Sequence, residues 1–155
     1  MISYVLIFVI SGALYYYSEG IIRIFETKDF IRQVPQTSLW MFLLGGIGGL
    51  ILNELNLSGM PILFKMIIFT SCIFIMELGF GILFNIILKL NLWDYSDKPF
   101  NLLGQVYLYE YIFGFLFVPI LLNFSDIILW LVYRYDKFSV YNLINYYIRI
   151  VTDFL

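Results

Sequence analysis

Long apolar runs separated by short polar breaks organise the chain. The first run, Met1 to Tyr17, has no charged side chain, and its pattern continues as helix to about Phe25. ETKDFIRQVPQT (26–37) is a charged break with a proline. A second run, from about Ser38 to Leu55, contains LLGGIGGLIL, and the turn NLSGMP (56–61) follows it. A third runs from about Ile62 to Leu90. LWDYSDKPFN (92–101) is a polar, aromatic, turn-rich island, and a fourth run extends from about Leu103 to Tyr133 with Pro119 inside it. A bilayer core about 30 Å thick takes roughly 20 mostly apolar helical residues to cross. The pattern therefore predicts an all-α integral membrane protein with four transmembrane helices in a bundle. The third run exceeds a perpendicular span, which predicts a tilted or protruding helix. Pro119 removes a backbone donor and predicts a kink. The last stretch, YRYDKFSVYNLINYYIRIVTDFL, mixes aromatic, aliphatic and charged positions and predicts an amphipathic interfacial helix. Residues 1–133 then form the transmembrane domain and 134–155 a C-terminal tail.

The first run reads as a retained helix. A cleaved signal would place basic residues before the apolar run and small ones after it, whereas the first basic side chain here is Arg23, beyond the run. Four crossings put both termini on one side. The 26–37 loop and LWDYSDKPFN share the other, the motif side. Near the helix ends the motif side carries Arg23, Lys28, Arg32, Lys89 and Lys98, and the terminal side Lys65, Arg134, Lys137 and Arg149. That near-balance assigns no orientation by the positive-inside rule.

Composition agrees with a membrane setting. Hydrophobic residues make up 62% of the 155 positions and charged residues 13%, against roughly 45–50% and about 25% in ordinary globular chains. With a net charge of −2 and no basic run, nucleic acid is not an expected partner. The single cysteine, Cys72, sits in an apolar run and reads as an inert buried side chain. Histidine is absent, which removes the commonest zinc ligand and the readiest general base. Gly45, Gly46, Gly48 and Gly49 lack the strand before and the lysine and hydroxyl after that a phosphate loop needs. They read as helix-packing positions, with Gly45 and Gly49 a small-xxx-small pair. No cofactor is expected, and the sequence leaves the question of a metal open.

Glu19, Glu77 and Glu110 are the candidate chemistry. Each lies inside a helical run flanked by apolar residues. A charged residue at a helix centre costs about 2.5–3.5 kcal/mol on insertion scales, so such residues face the bundle and find partners. Tyr15, Glu19 and Arg23 share one helical face, on which Glu19 and Arg23 can pair. Glu77, Gly81 and Asn85 form a similar stripe on helix three, and Gly104, Tyr107, Glu110 or Tyr111, and Gly114 one on helix four. At about 1.5 Å per residue Glu19 and Glu110 lie roughly 10 Å inside the motif side, with Glu77 deeper. LWDYSDKPFN then reads as a lid over one polar cavity. Trp93 and Tyr95 suit the interface, Asp94 and Ser96 accept backbone donors in a tight turn, Pro99 holds Lys98 extended, and Asn101 caps helix four. The same acids and Arg23 also fit a purely structural network that holds four helices in register.

The same residues carry a family likeness. LWDYSDKPFNLLGQVYLYE (92–110) resembles the WDYS…F(N)…G…LE signature of the bacterial membrane family named Putative ABC-transporter type IV, and also resembles the eukaryotic transmembrane protein 229 family. YSEGIIRIF (17–25), VPQTSLWMFLLGG (34–46) and FIMELGFGIL (74–83) extend the likeness over about residues 15 to 115. The matching positions are Glu19, Glu77, Trp93, Asp94, Tyr95, Ser96, Phe100, Gly104 and Glu110. Arg32 loosely corresponds to an asparagine–arginine–glycine stretch of bacterial members, and the tail after Tyr133 has no counterpart in the motif. The family name implies transport in a bacterial cell membrane. With no nucleotide-binding loop in this chain, any ATPase would be a separate partner.

Three function classes follow. The first is a membrane subunit or carrier that handles a small solute, cation or lipid in a carboxylate-lined cavity formed by Glu19, Arg23, Glu77, Asn85, Trp93, Asp94, Tyr95, Ser96, Asn101 and Glu110. The second is a structural or regulatory partner of another membrane protein. An intramembrane enzyme ranks last, because the sequence shows no histidine, reactive cysteine or nucleophile–base pair.

Overall fold

A computed structural model describes residues 2–27, 39–133 and 141–153. Helix α1 spans Ile2–Thr27, α2 Leu39–Leu57, and α3 Ile62–Gly81, which continues as a π-helical turn over Ile82–Ile87. A two-stranded antiparallel hairpin follows, β1 Asn101–Leu102 and β2 Val106–Tyr107, with Asn101 opposite Tyr107 and Leu102 opposite Val106. Helix α4 spans Leu108–Tyr133 and α5 Tyr141–Thr152. Among the described residues four helices are long and apolar enough to cross a membrane: Ser3–Ile21, Leu39–Leu57, Ile62–Ile87 and Leu108–Val132. The chain is an integral membrane protein, a four-helix bundle with a short C-terminal helix. The 26–37 loop lies almost wholly outside the described residues.

The glycines of α2 are where α1 packs. A Cβ on Gly45 would overlap the Tyr15 side chain, one on Gly49 would overlap Ser11, and one on Gly46 would come 2.5 Å from the Phe8 ring. Hydrocarbon gives helices no hydrophobic reason to associate, so close backbone approach supplies the contact. The core sits nearer the terminal side, where Leu52, Leu55, Ile62, Met66, Phe69, Val118 and Leu122 from α2, α3 and α4 pack together. Tyr146 and Ile150 of α5 lie against it.

Polar side chains close the terminal-side end. Lys65, 5% exposed, donates to the Asn56 carbonyl at 3.1 Å, a cation on the negative end of α2. Asn56 Nδ2 donates to Asp126 at 2.8 Å. The Tyr146 hydroxyl donates to Asp126 Oδ2 at 2.7 Å and lies 3.2 Å from Asn56 Oδ1, and Asp153 Oδ2 accepts the Ile62 N–H at 3.1 Å. Helix α5 is thereby fastened to α2, α3 and α4.

Two boundaries differ from the sequence pattern. The third helix ends at Ile87 rather than about Leu90. The fourth begins at Leu108 rather than about Leu103, so Asn101 does not cap it, and Gly104 and Tyr107 belong to the hairpin and not to a helical stripe. The reason is local. Leu103 and Gly104 take left-handed backbone conformations, φ 56° and 68°, which no helix accommodates. The apolar run is continuous across the boundary, so hydropathy gave no sign of it.

Candidate functional site

The π-turn that ends α3 presents Asn85, 9% exposed, to the following segment. Such turns widen a helix by one residue and commonly mark functional positions. Asn85 uses its whole amide: Nδ2 donates to the Trp93 carbonyl at 2.9 Å and to Gln105 Oε1 at 2.7 Å, and Oδ1 accepts the Leu92 N–H at 2.6 Å. Gln105 returns a bond from Nε2 to the Leu103 carbonyl at 3.0 Å, and its own carbonyl accepts the Trp93 indole N–H at 2.9 Å. Asn85 thus ties the WDYS segment and the hairpin to the end of α3. The close fit needs Gly81, where a Cβ would come 2.6 Å from Gln105 Oε1.

Asp94 and Ser96 build the outer turn. Asp94 Oδ1 accepts the Ser96 N–H at 2.9 Å and the Ser96 hydroxyl at 2.5 Å. These bonds from the Ser96 hydroxyl and N–H hold the exposed Asp94 carboxyl below its ordinary range. Gly104 sits beneath them: its φ is 68°, and a Cβ there would come 2.5 Å from Ser96 Oγ and 3.0 Å from Asp94 Oδ1. Its carbonyl accepts the Tyr95 N–H at 2.8 Å. Asn101 pins the turn, with Nδ2 donating to the Lys98 carbonyl at 2.8 Å and Oδ1 accepting the Gly104 N–H at 3.0 Å.

Tyr95, like Trp93, is half-buried. Its ring lies 4.9 Å from that of Tyr107. Burial pushes its phenol above the ordinary range, and the charges of Glu110, Glu77 and Glu19 push the same way, as does Tyr107. The three carboxylates, from α4, α3 and α1, therefore all act on this one phenol of the WDYS segment. Tyr15 joins them, its hydroxyl donating to Glu77 Oε1 at 3.2 Å across α1 and α3.

The ten candidate positions fall into three groups. Glu19, Glu77, Glu110 and Tyr95 share an electrostatic neighbourhood. Asn85, Trp93, Asp94, Ser96 and Asn101 hold the segment between α3 and α4 together through hydrogen bonds, with Asp94 and Ser96 exposed. The side chain of Arg23 lies outside the described residues. Trp93 donates inward to the hairpin and so belongs to the interior of the lid.

Glu110 stands at the third position of α4, not about seven residues in, because the hairpin replaces the expected first turns. Gln105 and the terminal-side set of Asn56, Lys65, Asp126, Tyr146 and Asp153 escaped the sequence reading. Isolated polar residues at 65, 105 and 126 in apolar surroundings were the available signal. A separate groove of about 370 Å³ between α1 and α2 is lined by Ala13, Tyr16, Tyr17, Leu39 and Phe42, none of them acidic.

The family model described as Putative ABC-transporter type IV matches residues 6–155. The chain belongs to that family. The match runs through the C-terminal segment, for which the WDYS motif offered no counterpart, so α5 falls within the family region. It speaks for this family and not for the transmembrane protein 229 family. No curated protein and no solved structure matches the chain.

Proposed function

We propose that the protein is a small membrane subunit or carrier of the bacterial cell membrane that handles a small solute or cation between α1, α3 and α4. The support for this reading is that the charges of Glu110, Glu77 and Glu19, from three helices, all act on the phenol of Tyr95 in the WDYS segment, and that Glu77 accepts the Tyr15 hydroxyl across α1 and α3. Intramembrane carboxylates are costly, and those gathered in one interior space are candidates for substrate or ion handling. The chain has no nucleotide-binding loop of its own, so energised transport would need a separate ATPase chain. A lipid headgroup bearing a cation would satisfy the same acids.

One observation favours a second reading. The Tyr15–Glu77 bond joins helices 62 positions apart in sequence, as a structural network would, and the protein would then be a structural or regulatory partner of another membrane protein. Glu77→Gln separates the two. A carrier loses uptake in proteoliposomes while the variant folds normally. A structural network loses folded, monodisperse protein. Chemistry by paired carboxylates ranks third, because it requires two carboxyls within reach of one substrate atom.

A further inference from the structure

The outer edge of the lid carries an unusual apolar surface. Phe100 is 73% exposed, Leu103 61% and Leu102 46%. Phe100 and Leu103 adopt left-handed backbone conformations, φ 55° and 56°, which are sterically costly for a residue with a Cβ. A water-facing loop gains nothing by turning leucine and phenylalanine outward at such a cost.

Level in the bundle supplies the reason. Tyr111 of α4 meets Ser71 and Phe74 of α3, with a 3.4 Å hydroxyl contact and rings 5.4 Å apart. From that level α3 and its π-turn run thirteen residues further to Ile87, whereas α4 begins only three residues before Tyr111. The overhang is about ten residues, roughly 15 Å at 1.5 Å per residue. The hairpin lies beside this overhang, with Gln105 against Gly81. The 26-residue span of α3 is about 39 Å long, more than a hydrocarbon core of about 30 Å. An excess of about 9 Å on the motif side would put Gly81, six residues before the end of the span, and the hairpin beside it at the edge of the core.

Backbone accounting fits that depth. Non-helical backbone in contact with hydrocarbon survives only when its polar groups are satisfied by protein. The carbonyl of Lys98 accepts from Asn101, that of Phe100 from Leu108 N–H, that of Leu102 from Gln105 N–H, and that of Leu103 from Gln105 Nε2. Those of Gly104 and Gln105 accept from Tyr95 N–H and the Trp93 indole. The apolar edge is also continuous with the lipid-facing side of α4: the Phe100 ring lies 6.4 Å from that of Tyr109, and Tyr109, Ile112, Phe113 and Leu116 are all exposed.

We propose that the 100–103 edge is a lipid-binding surface, inserted into the motif-side leaflet and covered by acyl chains, with the exposed Lys89 and Lys98 at headgroup level. The lid is then anchored in the membrane, and its outer turn at Asp94–Asp97 faces water.

Nitroxide labels test this in the full-length protein with Cys72→Ser, reconstituted in phosphatidylethanolamine–phosphatidylglycerol vesicles. Labels are placed at Leu103→Cys, Phe100→Cys and Asp97→Cys, and collision rates with oxygen and with a water-soluble nickel chelate are compared. Labels at 100 and 103 are expected to give an oxygen-to-nickel ratio severalfold above that at 97. Equal ratios at the three positions overturn the proposal. So do labels at 100 and 103 that are open to nickel in vesicles and become shielded from both probes only in native membranes, the signature of a protein partner. Leu102→Cys, whose backbone φ is not left-handed, carries the same comparison if either strained position fails to fold.

Discussion

Asn85 Nδ2 donates to Gln105 Oε1 at 2.7 Å, a bond between the π-turn of α3 and the hairpin that opens α4. It is the inner joint of the lid, because the same Asn85 amide also holds Leu92 and Trp93. Both side chains are buried. A buried group left without its partner costs about 1–3 kcal/mol. Asn85→Leu strands the Leu92 N–H, the Trp93 carbonyl and Gln105 Oε1 together, so it is expected to lower stability by about 3 kcal/mol in a denaturation assay in detergent. Asn85→Asp should do less damage to the Leu92 bond, since an acceptor remains. A loss below about 0.5 kcal/mol for Asn85→Leu would remove Asn85 from this role.

Gly104 links conformation to the WDYS motif. Its left-handed backbone and its proximity to Ser96 and Asp94 both disfavour a side chain. Gly104→Ala should destabilise by about 1–2 kcal/mol from backbone strain alone, with more from crowding against Ser96 Oγ. Asp94→Ala should lower the melting temperature more than Asp97→Ala, because Asp94 binds the Ser96 N–H and hydroxyl whereas Asp97 makes a surface ion pair with Lys98 at 3.8 Å. Equal melting temperatures for the two alanine variants would refute the role given to Asp94.

The bundle was legible because membrane helices announce themselves by length and hydropathy. The lid was legible only in part. LWDYSDKPFN could be read as a turn with Asp94 as an acceptor, but Ser96, expected to accept a backbone donor, instead donates its hydroxyl to Asp94, and the hairpin was hidden. Leu102, Leu103, Val106 and Tyr107 continue the apolar run into α4, and hydropathy measures burial preference rather than backbone conformation. The signal that decides it, positive φ at Leu103 and Gly104, is a backbone conformation that the residue types of the run do not announce. Helical spacing put Glu77 on a polar face of α3, the face that meets the Tyr15 hydroxyl of α1. Glu110 could be placed inside the bundle, but its position within α4 depended on that hidden boundary. The terminal-side network depends on α5 folding back onto α3 and α4, a contact between elements that no periodicity encodes.

A pH dependence follows from Asp94. Its carboxyl lies below the ordinary range because the ionised form accepts the Ser96 hydroxyl and N–H. A depressed folded-state pKa contributes stability above the unfolded value, about 3.9, and that contribution is lost as pH falls through the lower folded value. The lid should therefore loosen as pH drops below about 4. Trp93 emission reports it in a Trp40→Phe, Trp130→Phe background. A red shift is expected below that pH in the parent and a flat response in Asp94→Asn. A transition unchanged in Asp94→Asn would assign the effect to another group.

The attachment of α5 gives the last test. The Tyr146 hydroxyl donates to Asp126 Oδ2 at 2.7 Å and lies 3.2 Å from Asn56 Oδ1, while its ring packs against the apolar core. Burial raises its phenol pKa, and the bond to Asp126 raises it further, so the group is a hydrogen donor throughout the working pH range. Tyr146→Phe keeps the ring and removes the donor. Asp126 loses a charge-assisted bond, a change of about 1–3 kcal/mol, but keeps its bond from Asn56. The tail should then detach without collapse of the bundle, because the α1–α2 glycine contacts and the α3–α4 pairing do not involve Tyr146. Limited proteolysis should cut the Tyr146→Phe variant near residues 141–153 faster than the parent, with the four-helix fragment intact. Asp126→Asn should accelerate cleavage less, since an amide oxygen still accepts from Tyr146. Cleavage of Tyr146→Phe at the parental rate would show that apolar packing of Tyr146 and Ile150 alone holds the helix in place.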